Sequence, residues 1–321
     1  MAKLVLGVGS SHGPSIQSPP ERWAKLAEGD TRDPRFDYQA QLKKARPGLE
    51  SEIALDVQRH RHAGAHAALR AIGKIVADAR LDLAIVVSNA HRIRPGQHQP
   101  VFSVIGCETF PVSRRADEPF DPDSRFVSEE KRGAAKTVSE AEGNAAFAAH
   151  LLARLIEDQF DVSYMEALPQ GAVLDDAFVF PSEYMFGGVG IPIVPFNISR
   201  DLPNQPTPRR CFDLGGALRR AIEAWPGDIR VGLVSSGGLS HQIIDEELDR
   251  GVIDALAAGD RDALCAVPRD RLNGSPGTPE ILNWIAVAAA MAPTRMTLVD
   301  YLPAYRSVAG TGHGLTFGYW K

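Results

Sequence analysis

Residues 83–91 read LAIVVSNAH, an unbroken apolar run that ends in polar residues and a histidine. A run without polar alternation predicts a strand that is covered on both faces. Similar runs recur at Leu4–Gly9, Phe102–Gly106, Ile191–Asn197, Val231–Ser235 and Leu315–Trp320. Between them, apolar residues at three- and four-residue spacing indicate amphipathic helices, at Ala63–Ala79, Asn144–Glu157, Phe212–Ala224, Glu246–Ala258 and Pro279–Met291. This alternation predicts an α/β fold, with a central mixed sheet flanked by helices.

The composition narrows the class of protein. The chain has 321 residues, of which 44% are hydrophobic and 23% charged, enough for a substantial core. A net charge of −5 disfavours a nucleic acid or an anionic membrane as a partner. No apolar run approaches the ~20 residues of a membrane-spanning helix. Three widely spaced cysteines favour neither a disulfide framework nor a zinc site, so we expect a cytoplasmic protein.

Two polar stretches interrupt the alternating pattern. Residues 15–59 are charged, contain prolines and are only weakly periodic. We interpret them as an insertion into a single domain that spans residues 1–321. Residues 114–136 are rich in Pro and Asp and predict a long loop, and loops of this length are often lids or binding loops.

Chemically capable residues follow several of the predicted strands. His12 follows the first strand and His91 the second, while His241 follows residues 231–235 through a glycine pair. Glu280 ends a Gly/Pro-rich loop that opens a predicted helix. In open α/β sheets, ligands bind in the crevice outside the carboxyl ends of the strands. The sequence therefore predicts a metal site in that crevice.

Two imidazoles and one carboxylate form the facial triad of non-haem Fe(II) oxygenases, which leaves coordination positions open. A third histidine is then available for acid–base work. The residues alone do not show which histidine has which role. Each residue also has a plainer interpretation, since a histidine after a strand often only forms hydrogen bonds. Glu280 also suits the first turn of a helix because of the helix dipole.

The remaining histidines and the glycine motifs give weaker signals. His62 and His66 are four residues apart and could chelate a metal, but no HExxH motif surrounds them. We therefore interpret them as part of a solvated helix face. His313 precedes the last strand and could reach the crevice. No complete dinucleotide, phosphate-loop or GxSxG motif is present, so NAD, ATP and serine-hydrolase functions lack their usual support.

Six short motifs resemble those of the type III extradiol ring-cleavage dioxygenases. This family includes the protocatechuate 4,5-dioxygenase β subunit and the gallate and methylgallate dioxygenases. The motifs occur in the family's order and cover nearly the whole chain outside residues 15–59. They are Ser10–Pro14, Asn89–His91, Ile105–Phe110, Arg210–Gly215, Gly237–Gln242 and Glu280–Trp284.

The resemblance implies a role for each candidate residue. His12 and His91 correspond to the histidine ligands of iron, Glu280 to the carboxylate ligand and His241 to the catalytic acid–base histidine. The implied cofactor is Fe(II), and the implied partners are O2 and a small dihydroxy aromatic substrate, which is opened to an aldehyde or keto acid. We also expect a homo-oligomer such as a dimer.

The chain departs from the family's pattern at three places. Ala90 replaces the aspartate that usually precedes the second ligand, and Asp176 replaces a histidine near the substrate. A late loop that usually ends in Ser-Asn carries Tyr305 and Arg306. We therefore predict that Asp176, Tyr305 and Arg306 bind substrate, with Arg306 holding an anionic group through two parallel hydrogen bonds. The alternative is a structural arginine paired with Asp176 or another acid.

Two other functions remain open from the sequence. A metal-dependent hydrolase would use the same two histidines and glutamate to activate water. A non-enzymatic relative of the family would act as a binding protein. The presence of all three ligand residues and of His241 disfavours the binding protein. Metal analysis and O2 consumption would separate the oxygenase from the hydrolase.

Overall fold

The computed structural model describes residues 1–90, 100–113, 138–186 and 190–321. The strands are β1 (Lys3–Ser10), β2 (Leu83–Ser88), β3 (Phe102–Ile105), β4 (Thr109–Ser113), β5 (Val138–Glu142), β6 (Val162–Met165), β7 (Ile193–Ile198), β8 (Arg230–Ser236), β9 (His241–Ile243), β10 (Thr297–Tyr305) and β11 (Thr311–Trp320). The helices are α1 (Pro14–Gln17), α2 (Trp23–Asp30), α3 (Tyr38–Lys44), α4 (Leu49–Glu52), α5 (Leu55–Ala79), α6 (Ala145–Glu157), α7 (Asp176–Tyr184), α8 (Pro208–Glu223), α9 (Glu246–Ala258), α10 (Arg261–Cys265), α11 (Arg269–Leu272) and α12 (Ile281–Met291). Short 3₁₀ turns lie at Pro20–Arg22 and Thr278–Glu280.

The main sheet is mixed, as the sequence predicts. Its strand order is β10-β11-β1-β8-β2-β7-β3-β6, and β9 pairs with β11. The four central strands β1, β8, β2 and β7 are parallel, whereas β11 is antiparallel to β1 and β3 is antiparallel to β7. The carboxyl ends of the four parallel strands therefore lie at one edge. Strands β4 and β5 form a separate antiparallel ribbon.

Helices cover both faces of the sheet, which explains the unbroken apolar runs. Ile85 belongs to one core with Trp284 of α12 and Leu214 of α8. Its neighbour Val86 belongs to the other core, with Ile72 of α5. Successive residues of a strand point to opposite faces. A strand buried on both sides therefore needs apolar residues at every position.

The predicted elements match the structure except near the ends and in polar segments. The helix predicted at residues 63–79 begins earlier, at Leu55, so the predicted insertion boundary at Arg59 falls inside α5. Strand β10 was not predicted, because Asp300 and exposed residues at its start interrupt its apolar pattern. The predicted loop at residues 114–136 lies outside the described residues. A single domain with an insertion at about residues 15–59 stays a prediction.

Three helices begin at residues whose side chains cap them. Asn144, Thr207 and Asp245 cap α6, α8 and α9 through side-chain oxygens that accept backbone hydrogen bonds. Among the helices that the structure describes, none combines the length and apolar content required to cross a bilayer.

Candidate active site

The candidate site lies at the carboxyl edge of the parallel strands. His12 follows β1, Arg200 follows β7, and the glycine pair Gly237-Gly238 follows β8. Because β11 is antiparallel to β1, its first residues reach the same edge and place His313 there. Three of these segments place polar side chains at this edge and the glycine pair places backbone amides there, which is the position expected for ligand binding in an α/β sheet.

A serine hydroxyl determines which ring nitrogen of His12 carries the proton. His12 is buried, and its Nδ1 lies 3.0 Å from Oγ of Ser236. The Ser236 hydroxyl donates its own hydrogen to the carbonyl of Ala177 at 2.6 Å. Ser236 can therefore only accept from His12, so the imidazole proton resides on Nδ1 and the lone pair on Nε2. That nitrogen lies 3.8 Å from Oε1 of Glu280.

Glu280 is fully buried at the end of the 3₁₀ turn that precedes α12. Its Oε2 accepts a hydrogen bond from the Gly238 amide at 2.9 Å, and its Oε1 lies 3.8 Å from Nη1 of Arg200. Burial raises the pKa of Glu280 to about 8, opposed by the charge of Arg200 and by the Gly238 amide. Burial lowers the pKa of His12 to about 4, helped by Arg200 and opposed by the charge of Asp176.

His241 lies on the other side of the same carboxylate. Its Nδ1 is 3.5 Å from Oε2 of Glu280 and has no hydrogen-bond partner within the residues described. Burial is the main cause that lowers the pKa of His241 well below its usual value, and the charges of His12 and Arg200 lower it further. A Cβ at Gly277 would overlap the ring at Nε2, so the ring position depends on the glycine there.

His313 and residues from the predicted insertion complete the wall beside His241. The rings of His241 and His313 have their centroids 4.9 Å apart. Ser15 lies with its hydroxyl 2.8 Å from Nδ1 of His313, and Nη1 of Arg306 lies 3.5 Å from the same nitrogen. Asp30 at the end of α2 binds Arg306. Segment 15–59 therefore contacts the candidate site.

The three predicted substrate residues lie in different surroundings. Asp176 begins α7, close enough to His12 for its charge to act on the imidazole. Arg306 is buried and forms two hydrogen bonds with Asp30, at 2.5 and 2.7 Å. Asp30 therefore engages two of the guanidinium nitrogens, as the structural alternative predicts, and recognition of a substrate anion by Arg306 stays a prediction. Tyr305 donates its hydroxyl hydrogen to Glu246 at 2.8 Å.

Sequence reasoning missed Arg200 and Ser236. Both lie at ends of strands that the sequence predicts, Arg200 after β7 and Ser236 as the last residue of β8. A search for every polar residue at a strand end, rather than for histidines and carboxylates alone, would have found them. That Ser236 contacts His12 and not another neighbour depends on the pairing of β1 with β8, which the sequence does not specify.

The third predicted ligand, His91, lies outside the described residues. The chain just before it is well anchored, because the Ala90 amide donates to Oδ1 of Asn197 at 2.6 Å. Asn89 donates to the carbonyl of Ile198 and accepts from Asn283, three residues after Glu280. Residues 1–90, 100–113, 138–186 and 190–321 contain no group of three His, Cys, Asp or Glu side chains placed to hold a metal.

The residues present fit a metal ion as far as they are described. His12 offers a neutral imidazole lone pair, and Glu280 offers a carboxylate oxygen 3.8 Å away. That separation is too long for a hydrogen bond. Two donors that each lie about 2 Å from one ion can be this far apart. The fold and site thus define an α/β protein with a candidate metal site at the carboxyl edge of its sheet.

Comparison with known proteins assigns the family. Residues 51–315 match the catalytic LigB subunit of aromatic ring-opening dioxygenase. The chain therefore belongs to this family, which confirms the resemblance to type III extradiol dioxygenases. It is also 30% identical over 181 residues to gallate dioxygenase from Pseudomonas putida, over 52% of each chain. The chain thus spans about half the length of that relative.

One solved structure is similar at a lower level. An uncharacterized protein from Escherichia coli K12 shares 14% sequence identity at a TM-score of 0.44, over 78% of this chain and 91% of that one. This similarity is too low to add to the assignment of fold or family.

Proposed function

We propose that the protein is a non-haem Fe(II) extradiol dioxygenase that inserts O2 into a catechol-type ring such as a gallate- or protocatechuate-like compound. One observation carries the proposal. His12 donates from Nδ1 to Ser236, which donates to the carbonyl of Ala177, so Nε2 of His12 has a lone pair and lies 3.8 Å from Glu280. Family membership and the similarity to gallate dioxygenase support ring opening as the reaction.

We assign the metal to His12, His91 and Glu280. Two imidazoles and a carboxylate, without thiolates, are the donor set of non-haem Fe(II) oxygenases. Bound iron would supply Lewis acidity that favours loss of a phenolic proton, and open positions for substrate and O2. The Gly238 amide holds Oε2 of Glu280 and so orients the carboxylate, a support that metal ligands commonly have.

His241 would act as the general acid–base residue. Its Nδ1 lies 3.5 Å from Oε2 of Glu280 and is not used in a hydrogen bond to the described residues. It would accept a proton from the substrate hydroxyl on binding and return it as the ring opens. Gly277 keeps the ring in that position, because any larger residue would occupy the same space.

Two aromatic side chains near His12 would suit an aromatic substrate. Phe180 lies with its ring centroid 6.1 Å from that of His12 and stacks on Tyr184 at 4.4 Å. Arg200 adds positive charge beside Glu280, which would favour an anionic substituent or a catecholate. Asp176 adds an acid near His12, and its contact with substrate stays a prediction. The predicted homo-oligomer and cytoplasmic location also stay predictions.

The test is reconstitution with Fe(II) under anaerobic conditions, followed by oxygen and a panel of gallate, protocatechuate and catechol. We expect O2 uptake together with the absorbance of a ring-opened product. His12→Ala and Glu280→Ala should lose both the iron and the activity, while His60→Ala on the exposed face of α5 should keep both. Substrate hydrolysis without O2 uptake would instead indicate the metal-dependent hydrolase.

A further inference from the structure

Two histidines of α5 converge on one backbone carbonyl, that of Ile16. Nε2 of His62 and Nε2 of His66 each lie 3.1 Å from the carbonyl oxygen of Ile16, and 3.2 Å from each other. Both side chains are half-buried, so the predicted solvated helix face is wrong for this pair. The three atoms form a nearly equilateral triangle of possible metal donors.

Hydrogen bonding cannot account for all three contacts. A carbonyl donates no hydrogen, and a neutral imidazole carries at most one on Nε2. At most two hydrogens are therefore present for three contacts. If both imidazoles donate to Ile16, two N–H groups lie side by side at 3.2 Å. A cation held just off the plane of the triangle would instead use three lone pairs.

The triangle has the size of one face of a metal tetrahedron. Donors that lie about 2.0–2.1 Å from a tetrahedral zinc ion are separated from each other by about 3.3 Å. The observed separations of 3.1, 3.1 and 3.2 Å are close to this value. Histidines four residues apart on one helix face are also the arrangement that binds zinc in HExxH helices.

We propose that His62, His66 and the carbonyl of Ile16 form a second metal site, which binds a divalent transition-metal ion such as Zn²⁺ and ties α5 to α1. Water fills the open coordination position. The site is distinct from the one assigned to iron, and it does not depend on the proposed dioxygenase function.

The surroundings of the triangle support binding of a cation. Burial lowers the pKa of His62, and the charge of His66 lowers it further. A neutral imidazole is therefore available at neutral pH. Glu21 acts on His62 with a negative charge, although Arg59 binds this carboxylate at 2.8 Å. Trp23 packs edge-on against His62 with ring centroids 6.4 Å apart, which places a fluorescent reporter beside the site.

The test is calorimetric titration of the metal-stripped full-length protein with Zn²⁺. Loss of a group outside the ligand shell already weakens metal binding about 10- to 100-fold, so loss of a ligand should cost at least as much. We expect His62→Ala and His66→Ala each to remove one binding equivalent or weaken it at least about 10-fold. The control is His60→Ala, which lies on the exposed side of the same helix and should keep that equivalent.

Two further measurements separate binding from misfolding and from the active site. The variants His62→Gln and His66→Gln should unfold in EDTA at the wild-type temperature, yet lose the extra stability that Zn²⁺ gives the wild type. Cu²⁺ should quench a part of the tryptophan fluorescence that is absent in Trp23→Phe. Unchanged Zn²⁺ stoichiometry and affinity in both alanine variants would overturn the proposal, whether or not the protein opens aromatic rings.

Discussion

Ser236 lies with Oγ 3.0 Å from Nδ1 of His12, and it can only accept at that contact because its hydrogen is donated to the carbonyl of Ala177. The hydroxyl thereby sets the tautomer of a proposed iron ligand without being a ligand itself. Such groups orient metal ligands and tune their basicity. The pairing of β1 with β8 brings Ser10 opposite Ser236 and so positions the imidazole two residues further on.

Replacement of Ser236 by Ala should weaken iron binding without unfolding the protein. His12 would lose the acceptor that holds its proton on Nδ1, and we expect about a 10- to 100-fold loss of Fe(II) affinity. The matched control is Ser235→Ala, because the buried Ser235 hydroxyl has no hydrogen-bond partner among the described residues. Equal Fe(II) affinities of the two variants in an equilibrium competition assay would refute this role for Ser236.

The variant Gly277→Ala should separate iron binding from turnover. Its methyl group would displace the His241 ring, whose atoms are the three nearest to the added carbon. A general acid–base group typically contributes ~10²–10⁴-fold to the rate, so kcat should fall by at least 10-fold while bound iron stays constant. Gly251→Ala is the control, because a methyl group there meets no atom within 4 Å. Retention of the wild-type kcat would demote His241 to a structural role.

The fold was predictable because its strands carry local signals. The unbroken apolar run at residues 83–88 indicates a strand buried on both faces, and apolar residues three and four positions apart indicate the helices. The polar half of the site was less predictable. Arg200, Ser236 and the Gly238 amide act through partners that are distant in sequence, and only the strand order brings them together.

The late-loop substitutions show why a residue type alone does not give a role. The guanidinium of Arg306 is suited to a carboxylate, and the structure supplies one from Asp30, 276 residues away in sequence. Tyr305 and Arg306 are adjacent in the chain, yet Tyr305 contacts Glu246 while Arg306 lies beside His313. A sequence pattern without homologous structures cannot distinguish an acid of the same chain from an acid of the substrate.

The pair Asp30–Arg306 should be required for stability. Both side chains are fully buried, so Arg306→Met would leave Asp30 without its cation, at a cost of about 3–5 kcal/mol in the free energy of unfolding. The double variant Asp30→Asn/Arg306→Met should recover much of that loss in urea denaturation. Additive losses from the two single substitutions would show that the pair is not a unit.

The variant Arg306→Met also tests whether Arg306 binds a carboxylate of the substrate. Because Asp30 holds two of its nitrogens, we expect Arg306→Met to change KM equally for a carboxylated catechol and its uncharged analogue. A charged hydrogen bond to the substrate is worth roughly 1.5–3 kcal/mol, or about 10- to 150-fold in preference. A selective loss of this size would show that Nη1 contacts the anion after all.

Asp249 should make stability depend on pH. It is fully buried in α9 and accepts hydrogen bonds from the Ser240 amide and hydroxyl at 2.7 Å, and from Tyr301 at 2.8 Å. Burial raises its pKa from 3.8 to about 7, with Asp245 acting in the same direction and the hydrogen bonds opposing. The folded state therefore favours the protonated acid. Its contribution is complete below pH 4 and is lost as the pH rises through 7.

The variant Asp249→Asn removes this titration. The free energy of unfolding of the wild type, relative to the variant, should fall between pH 4 and 7 by up to about 1.4 kcal/mol per pH unit and then level off. Urea denaturation at several pH values measures this difference. Parallel stability curves for the two proteins would contradict the assignment.

The most direct measurement of the central claim is the fate of labelled oxygen. The Fe(II)-loaded protein is mixed with gallate or protocatechuate under ¹⁸O₂, and the ring-opened product is analysed by mass spectrometry. A dioxygenase built on His12, His91 and Glu280 should place both labelled atoms in the product, and Glu280→Ala should give none. A ring-opened product without label, or no ring opening by the iron-loaded protein on any catechol of the panel, would contradict the account.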